Sequence, residues 1–466
     1  MPYSEDASSA AKSALSSTQI QLPTNSPLLA DNFIFGAATA SFQIEGAADK
    51  RFPCIWDTFC ATPGKIRDGS DGKVACDHYH RFEQDLDILT EMGVDAYRFS
   101  ISWPRVMNPK GQLVQEGVDF YLGLLAGLKR RNIKAFVTLY HWDLPQYLED
   151  QGGWLNRETA YAFAHYVDAI TRALGPDVHS YATLNEPFCS AYLGYEIGIH
   201  APGKTGKNQG KKAAHHLLLA HGMAMQILRK NCPNSLNGIV LNFSPCHSAT
   251  DSESDKKAAR LADDHFNQWY IQPLMEGCYP KLIDSLPSNE RPDIEPEDMA
   301  IIAEPLDFLG INYYTRETYR ASPGEEFVRV EEKPLPLTQM GWEIYPQGLT
   351  ELLLSMHQRY SLPPLYITEN GAAMDDKLVD GRVNDADRLA YYQSHLLAVH
   401  DACLQGVNVQ GYFAWSLLDN FEWAEGYLKR FGLVYVNYLT QERIVKDSGL
   451  AYGKMLKSRQ QARTTC

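Results

Sequence analysis

The sequence contains no apolar run of about 18 residues or more, the length that a membrane-spanning helix requires. It also lacks an excess of positive charge, because 43 Lys and Arg residues stand against 57 Asp and Glu residues, a net charge of −14. Phosphate backbones repel such a chain, so a nucleic acid is not expected as a partner. Because the apolar run is missing, a membrane is not expected as a partner either. With 44% hydrophobic and 21% charged residues, the composition excludes a mainly disordered chain.

Cysteine is scarce and shows no pairing pattern. The nine cysteines are scattered, their number is odd, and no two of them are separated by only two residues. A disulfide framework or a zinc site is therefore not expected, and reduced thiols in a cytoplasmic protein are the expectation. The Gly-rich turn of dinucleotide-binding folds is missing as well, and no metal or organic cofactor is predicted.

The first thirty residues differ in composition from the rest of the chain. They are rich in Ser, Ala and Thr, and they lack the basic start and apolar centre of a secretory signal. They contain no Arg but carry Glu5 and Asp6, which argues against a transit peptide. We expect a flexible N-terminal extension over residues 1–30, one folded domain over 31–458 and a C-terminal tail over 459–466.

From residue 31 onwards, short apolar runs alternate with segments of helical periodicity. Phe82, Leu86 and Leu89 lie on one face of a helix predicted over 78–92, with Asp77 as its N-cap and Gly93 as its C-cap. The predicted strands are 33–39, 97–102, 135–140, 181–186, 238–243, 307–314, 365–369 and 409–417. The predicted helices are 78–92, 115–131, 157–174, 211–230, 256–274, 295–303, 346–359 and 386–404.

This alternation predicts an α/β fold, a single (β/α)8 barrel with elaborated βα loops. Eight strand–helix units without a linker favour one barrel over several domains. An open doubly wound sheet is the alternative, although the Gly-rich turn that it often carries is absent. In a barrel of this kind the chemistry lies where the strands end. Polar and aromatic residues near these ends are Gln43, Glu45, Arg98, His141, Trp142, Asp143, Asn185, Glu186, Asn312, Tyr314, Glu369, Trp415, Asp419, Glu422 and Trp423.

Two glutamates at these ends are candidates for chemistry. Glu186 closes the fourth predicted strand and Glu369 the seventh, and each precedes a turn-forming residue. Paired carboxylates around a sugar bond are the common solution to glycoside cleavage, in which one donates a proton and the other attacks the sugar carbon. From spacing alone, two unrelated charges at the rim are the open alternative.

Seven segments of the chain, in the right order, resemble family 1 glycoside hydrolases and above all the β-glucosidases. These segments are FIFGAATASFQIEGA, YRFSISWPR, TLYHWDLPQ, TLNEP, LGINYYT, YITENG and GYFAWSLLDNFEW. The resemblance covers residues 31–458, nearly the whole chain. It implies a retaining, exo-acting β-glucosidase that removes terminal nonreducing β-D-glucosyl residues from cellobiose, short oligosaccharides and aryl or alkyl glucosides.

The resemblance also implies roles for individual residues. Glu186 in TLNEP matches the general acid/base and Glu369 in YITENG the nucleophile, with carboxyl groups roughly 5–5.5 Å apart. Arg98 would favour the ionised form of Glu369, and the Tyr314 phenol would donate a hydrogen bond to it. A Glu at position 186 argues for O-glycosides over thioglucosides. The implied substrate-binding residues are Gln43, His141, Trp142, Asn185, Asn312, Trp342, Trp415, Glu422, Trp423 and Phe431.

Within that set, the resemblance places Asn185 at the sugar 2-hydroxyl, Trp415 under the ring and Trp342 on the aglycone side. Relatives that act on 6-phosphosugars differ at the positions of Glu422 and Phe431, so unphosphorylated β-glycosides are the expected partners. Preference for another β-sugar, a binding protein without turnover, and transglycosylation are alternatives that the sequence leaves open. It also leaves open whether the protein is a monomer or a homo-oligomer.

Overall fold

The computed structural model describes residues 19–464, and within them eight parallel strands form a closed barrel. Each strand pairs with the next along the chain, and β8 pairs with β1. The strands are β1 Ile34–Ala38, β2 Ala96–Ser100, β3 Lys134–Thr138, β4 Ser180–Asn185, β5 Leu236–Phe243, β6 Phe308–Tyr313, β7 Leu365–Asn370 and β8 Val409–Trp415. The predicted barrel is confirmed, with all eight strands within a few residues of their predicted places.

The barrel interior is filled by aromatic rings. Phe136 on β3 lies 5.7 Å from Tyr366 on β7 and 4.8 Å from Phe413 on β8, between ring centroids. These strands do not neighbour β3, so the rings meet inside the barrel. Glycines on adjacent strands leave the room, since a Cβ on Gly36 would lie 2.5 Å from the Phe413 ring and one on Gly411 2.7 Å from the Tyr366 ring. The barrel is therefore a packed core, as alternating large and small residues require.

Helices cover the outside of the barrel, which is why the strands are buried on both faces. In the described part of the chain the main helices are α1 His78–Met92, α2 Gln115–Arg130, α3 Glu158–Leu174, α4 Gln209–Asn231, α5 Trp269–Glu276, α6 Pro346–Arg359, α7 Ala386–Leu404 and α8 Asp447–Thr464. The helix predicted over 256–274 is in fact two helices, Glu253–Asp263 and α5, joined by a π-helical turn at Asp264–Gln268.

The predicted elaboration of the loops is also observed. Further helical segments are Pro27–Leu29, Ser41–Ile44, Ala48–Lys50, Ile55–Ala61, Trp103–Val106, Gln146–Glu149, Gly153–Leu155, Cys189–Leu193, Leu282–Ser285, Asp298–Ile302 and Trp423–Glu425. A three-stranded sheet joins Cys246–Ser248, Glu317–Ser322 and Glu325–Arg329. Two hairpins pair Leu378–Val379 with Arg382–Val383 and Val434–Val436 with Arg443–Val445.

Of the two caps predicted for α1, the C-cap contact is observed and the N-cap contact is not. Gly93 ends the helix with a φ of 75°, and its N–H donates to Leu89 O and Thr90 O. Asp77 occupies the N-cap position, but its side chain does not bind the backbone of the first turn. Its carboxylate instead accepts hydrogen bonds from Arg81 and pairs with His80, two charged or titratable side chains of that same turn.

The described part of the predicted N-terminal extension is packed on the barrel, which differs from the expected flexible segment. Ile20 and Leu28 are buried, and the backbone N–H of Gln21 donates to Gln393 on α7 at 2.7 Å. Ser26 lies 3.0 Å from His400 on the same helix. Residues 1–18 of the extension lie outside the described residues.

The predicted C-terminal tail begins inside α8, a helix that sequence reasoning missed. Arg459 is buried, and its guanidinium donates to Asp95 at 2.7 Å, so the helix is tied to the start of β2. Two glycines, Gly449 and Gly453, hid the helix because glycine weakens helical propensity. A Cβ on Gly453 would lie 3.2 Å from the Met92 backbone, so close packing against α1 explains its presence. Residues 465–466 lie outside the described chain.

Among residues 19–464, no helix is long and apolar enough to cross a membrane.

A matched pair of glycine substitutions tests the packing of the helical layer. Gly222 lies on α4 where a Cβ would approach Ile301 O to 2.0 Å, so Gly222→Ala should destabilise the protein by about 1–3 kcal/mol through overpacking. Gly123 lies on α2, where a Cβ would meet only Phe82 at 3.7 Å. Gly123→Ala should therefore leave the free energy of unfolding unchanged or raise it by up to about 1 kcal/mol. Its thermal midpoint should stay the same or rise. Thermal unfolding of both variants checks this, and equal midpoints would contradict the packing.

Candidate active site

Two carboxyl groups share one hydrogen-bonded network at the carboxyl ends of the strands. Asn312 Nδ2 donates to Glu186 Oε1 at 2.7 Å, and Arg98 Nη1 donates to Glu369 Oε1 at 2.7 Å. Asn185 Oδ1 joins the two halves, because it accepts from Arg98 Nη2 at 2.7 Å and from Asn312 Nδ2 at 3.1 Å. The predicted pair thus belongs to one network, whose residues come from four strands and the loop after β4.

Glu369 is held by a cation and a phenol. The Arg98 guanidinium pairs with Oε1, and Tyr314 Oη donates to Oε2 at 2.7 Å. Burial raises the pKa of Glu369, while Arg98 and then Tyr314 act to lower it. A buried charge needs such a partner, so Glu369 is the member of the pair that is built to stay ionised.

Glu186 has a different environment. Its Oε1 accepts from Asn312 and its Oε2 lies 3.1 Å from Cys189 Sγ, and no cation of the described chain contacts it. Burial, followed by the negative charge of Glu369, raises the pKa of Glu186 to about 8. Because Arg98 and Tyr314 bind Glu369 and not Glu186, the proton of the pair is favoured on Glu186 and the negative charge on Glu369. The φ of Glu186 is 45°, a strained backbone for a residue with a side chain.

The network fixes the hydrogen positions on His141. Asn185 Oδ1 already accepts from Arg98, so Asn185 Nδ2 is the donor that meets His141 Nε2 at 3.1 Å. Nε2 is then the acceptor and Nδ1 bears the hydrogen. Burial and Arg98 hold the pKa of His141 well below its usual range, so the ring is neutral. Nδ1 is buried and has no partner in the described structure, which leaves one N–H donor free for a ligand.

Gln43 supplies a complementary acceptor. Its Nε2 donates to Asn420 Oδ1 at 3.0 Å and to Phe421 O at 2.9 Å, which fixes the amide. Its Oε1 is buried and finds no donor among residues 19–464. A hydroxyl group both donates and accepts, so a free acceptor on Gln43 and a free donor on His141 suit a polyhydroxylated ligand.

Aromatic rings line the same region. Trp415 and Trp423 each lie 5.9 Å from the His141 ring, nearly parallel to it, and Trp423 lies 4.5 Å from Trp142. The Trp142 indole N–H is used by the fold itself, since it donates to Asn185 O at 2.9 Å. These flat faces suit the apolar face of a sugar ring. Trp142 and Trp423 also have positive φ angles, 75° and 47°.

The remaining predicted residues form two groups. Trp342, Tyr314 and Phe431 make an aromatic cluster with centroid distances of 5.4, 6.1 and 6.2 Å. Glu422 is beside Gln43, with Oε2 at 3.4 Å from Gln43 Nε2. Burial, and then the charge of Glu369, raises the pKa of Glu422 to about 8. All the predicted site residues thus belong to one connected region.

Two contributors were missed by sequence reasoning, and two strand-end residues do not join the site. Asn420 holds Gln43, and Thr368 Oγ1 donates to Asn312 Oδ1 at 2.7 Å. Asn420 lies inside the GYFAWSLLDNFEW segment, which was a usable signal, whereas Thr368 looks like any β-branched strand residue. Glu45 forms an ion pair with Arg105 at 2.8 Å. Asp419 forms one with the buried Lys446 at 2.6 Å, so both carboxylates serve the fold.

Comparison with known proteins decides the family. The sequence model of glycosyl hydrolase family 1 matches residues 26–461. The chain belongs to this family. A β-glucosidase of Agrobacterium sp. is 46% identical over 432 residues, 91% of this chain and 94% of that protein. A bifunctional β-D-glucosidase/β-D-fucosidase of Bifidobacterium breve is 43% identical over 445 residues, 89% of this chain and 95% of that protein.

The fold comparison agrees. The crystal structure of the family 1 β-glucosidase from Exiguobacterium antarcticum B7 superposes with a TM-score of 0.90 at 44% identity, and it covers 93% of this chain and 99% of its own. The predicted membership of family 1 and the predicted barrel are confirmed. As a member of this family, the chain is a retaining O-glycosidase. The match begins at residue 26, within the predicted extension, and ends at 461, within the predicted tail.

The burial of Glu186 predicts a pH-dependent gain of stability when it is replaced. Its pKa rises from 4.5 to about 8 on folding, so the folded chain binds more protons than the unfolded chain between these values. Its contribution to the free energy of unfolding therefore falls as the pH rises from about 4.5 to about 8. Glu186→Gln removes this loss, so its thermal midpoint should exceed that of the wild type most at pH 8.5 and least at pH 5.

The matched control for this measurement is Glu253→Gln, which changes a carboxylate whose side chain is 82% exposed. This variant should differ from the wild type by the same small amount at both pH values. A constant difference for Glu186→Gln as well would contradict the raised pKa.

Proposed function

We propose that the chain is an exo-acting β-glucosidase that hydrolyses terminal nonreducing β-D-glucosyl residues of cellobiose, short oligosaccharides and aryl or alkyl glucosides with retention of configuration. The main support is the asymmetry of the carboxyl pair. Glu369 has Arg98 and Tyr314 as direct partners, whereas Glu186 has neither. One group is therefore prepared to attack and the other to donate a proton.

In the first step, Glu369 attacks the anomeric carbon and Glu186 gives its proton to the leaving oxygen. The glycosidic bond breaks, and an ester forms between Glu369 and the sugar. The ester is neutral, so the repulsion that raised the pKa of Glu186 ends and Glu186 becomes a base. It then takes a proton from water as the water attacks the same carbon. Two inversions give retention, and Glu369 is released as a carboxylate.

Sugar recognition uses the atoms that the fold leaves free. His141 Nδ1–H and Gln43 Oε1 are a buried donor and acceptor for a hydroxyl of the glucosyl ring. Asn185, next to the acid, is assigned to the 2-hydroxyl, where hydrogen bonds strengthen in the transition state. Trp415 stacks under the ring, and Glu422 completes the hydroxyl contacts. Trp342 lies with Phe431 and is assigned to the aglycone side.

The proposal that the sugar is unphosphorylated rests on Glu422. Glu422 brings no positive charge to bind a 6-phosphate, and its ionised form would repel one. Unphosphorylated sugars are therefore the proposed substrates. A β-D-fucoside is the second candidate, because the relative from Bifidobacterium breve is named for both activities.

Hydrolysis of a nitrophenyl glycoside panel tests the substrate assignment. The panel holds the β-glucoside, β-galactoside, β-fucoside, β-xyloside, α-glucoside and 6-phospho-β-glucoside. We expect the highest kcat/KM for the β-glucoside, with the α-glucoside and the phosphosugar inert. Preference for the phosphosugar would overturn the argument from Glu422, and inactivity on every compound would favour a binding protein.

Two glutamine variants test the division of roles. Glu369→Gln should lower hydrolysis about a thousandfold or more with every substrate, because the nucleophile is lost. Glu186→Gln should lower hydrolysis of an alkyl glucoside by roughly 10²–10⁴, but kcat/KM for a dinitrophenyl glucoside much less, since that leaving group needs no proton. Glu253→Gln is the control for exposed carboxylates. Equal losses on both substrates in Glu186→Gln would refute its role as acid.

Cytoplasmic location stays a prediction from the scattered cysteines of the sequence. Transglycosylation stays an alternative outcome of the second step, in which an acceptor sugar replaces water. Analysis of products at high cellobiose concentration separates hydrolysis from transfer, and release of single glucose units would support exo action.

A further inference from the structure

Cys189 contacts the proposed acid/base, and the mechanism above gives it no role. It lies three residues after Glu186 and begins the π-helical turn Cys189–Leu193. Its backbone N–H donates to Glu186 O at 2.9 Å, and its Sγ is 3.1 Å from Glu186 Oε2. Its side chain is buried, with 7% of the residue exposed.

The two oxygens of Glu186 have different partners. Oε1 accepts from Asn312 Nδ2, and Asn312 cannot turn over because Nδ2 also donates to Asn185 Oδ1, which Arg98 holds as an acceptor. Oε1 is therefore kept as an acceptor, and the proton of the acid form belongs on Oε2. Within the described chain, Cys189 is the side chain that meets Oε2. The Cys189 thiol therefore contacts the oxygen through which Glu186 gives up its proton in the first step and regains one in the second.

A thiol suits this position because sulfur accepts weakly and S–H donates weakly. Burial, and then the negative charge of Glu186, raises the pKa of Cys189 well above its usual range, so the group stays a thiol. It is therefore a donor whenever Glu186 is ionised.

We propose that Cys189 is a positioning residue for Glu186, whose thiol donates to Oε2 when Glu186 acts as the base. In the acid form, the same sulfur accepts from Oε2–H until the substrate's leaving oxygen replaces it. The inference rests on the proposed role of Glu186 as acid/base. It adds that the ease with which Glu186 alternates between its two forms depends on a side chain outside the carboxyl pair.

Other charged and titratable groups also face Glu186, and they set the background for this effect. They are Glu369, Arg98, Tyr314 and Glu422. These groups act on the charge of Glu186 as a whole. The thiol instead makes a direct contact with one oxygen, so its removal is testable with the other groups in place.

Cys189→Ala removes the donor, and Cys189→Ser keeps one on the same stem. Loss of a donor to the ionised form raises the pKa of Glu186. In the Ala variant, the high-pH limb of kcat/KM for nitrophenyl β-glucoside should move up by roughly half to one pH unit. With a dinitrophenyl glucoside, whose kcat reports the second step, the low-pH limb should move up as well. The Ser variant should restore both limbs.

Cys232→Ala is the matched control, because it removes another buried thiol at the end of α4. It should leave both limbs in place, and thermal midpoints show whether each variant folds. A structural role for Cys189 alone would lower the rates of the Ala and Ser variants without moving either limb, and that result would overturn the proposal.

Glu186→Gln separates this inference from the function beneath it. If the high-pH limb persists in Glu186→Gln, the limb belongs to another group and the role of Glu186 itself is wrong. If Glu186→Gln removes the limb and Cys189→Ala leaves it unmoved, the function stands and the role of Cys189 is wrong.

Discussion

The buried ion pair between Arg98 and Glu369 is the contact on which the site depends. Both side chains are almost fully buried, and loss of either partner would leave an uncompensated charge at a cost of about 3–5 kcal/mol. Arg98 holds the negative charge on Glu369, and that charge in turn helps to keep the proton on Glu186. The second amino group of Arg98 orients Asn185, which sets the tautomer of His141. The Arg98 guanidinium thus favours the charge on Glu369 and the proton on Glu186, and through Asn185 it leaves His141 Nδ1 as a donor.

The barrel makes this contact possible. Arg98 and Glu369 are 271 residues apart in the chain, and their strands β2 and β7 are not neighbours in the sheet. They meet because the closed barrel points its strand ends at one mouth. Rigid strands hold donors at fixed positions before the substrate arrives, and such preorganised groups stabilise charge in a transition state without further reorganisation.

The site is held at a cost to stability. Glu186, Trp142 and Trp423 all have positive φ angles, and the carboxyl group of Glu186 is buried without a cation contact in the described chain. Strained backbone and unfavourable burial of this kind persist only where the surrounding structure enforces them, and they concentrate at functional sites. The aromatic barrel interior and the helical layer provide that enforcement.

The sequence by itself determined the eight strands, because each is a short apolar run whose burial on both faces requires no knowledge of its partners. It also singled out Glu186 and Glu369 as strand-end carboxylates, and the resemblance of seven segments implied the other site residues. It missed α8, whose glycines make sense only against the backbone of α1, and it placed Glu45 at the site although Arg105 binds it. Only the tertiary structure decided which atoms of His141 and Gln43 are free and that Cys189 meets Glu186. These properties depend on distances between residues from different strands, and no local pattern of the chain contains them.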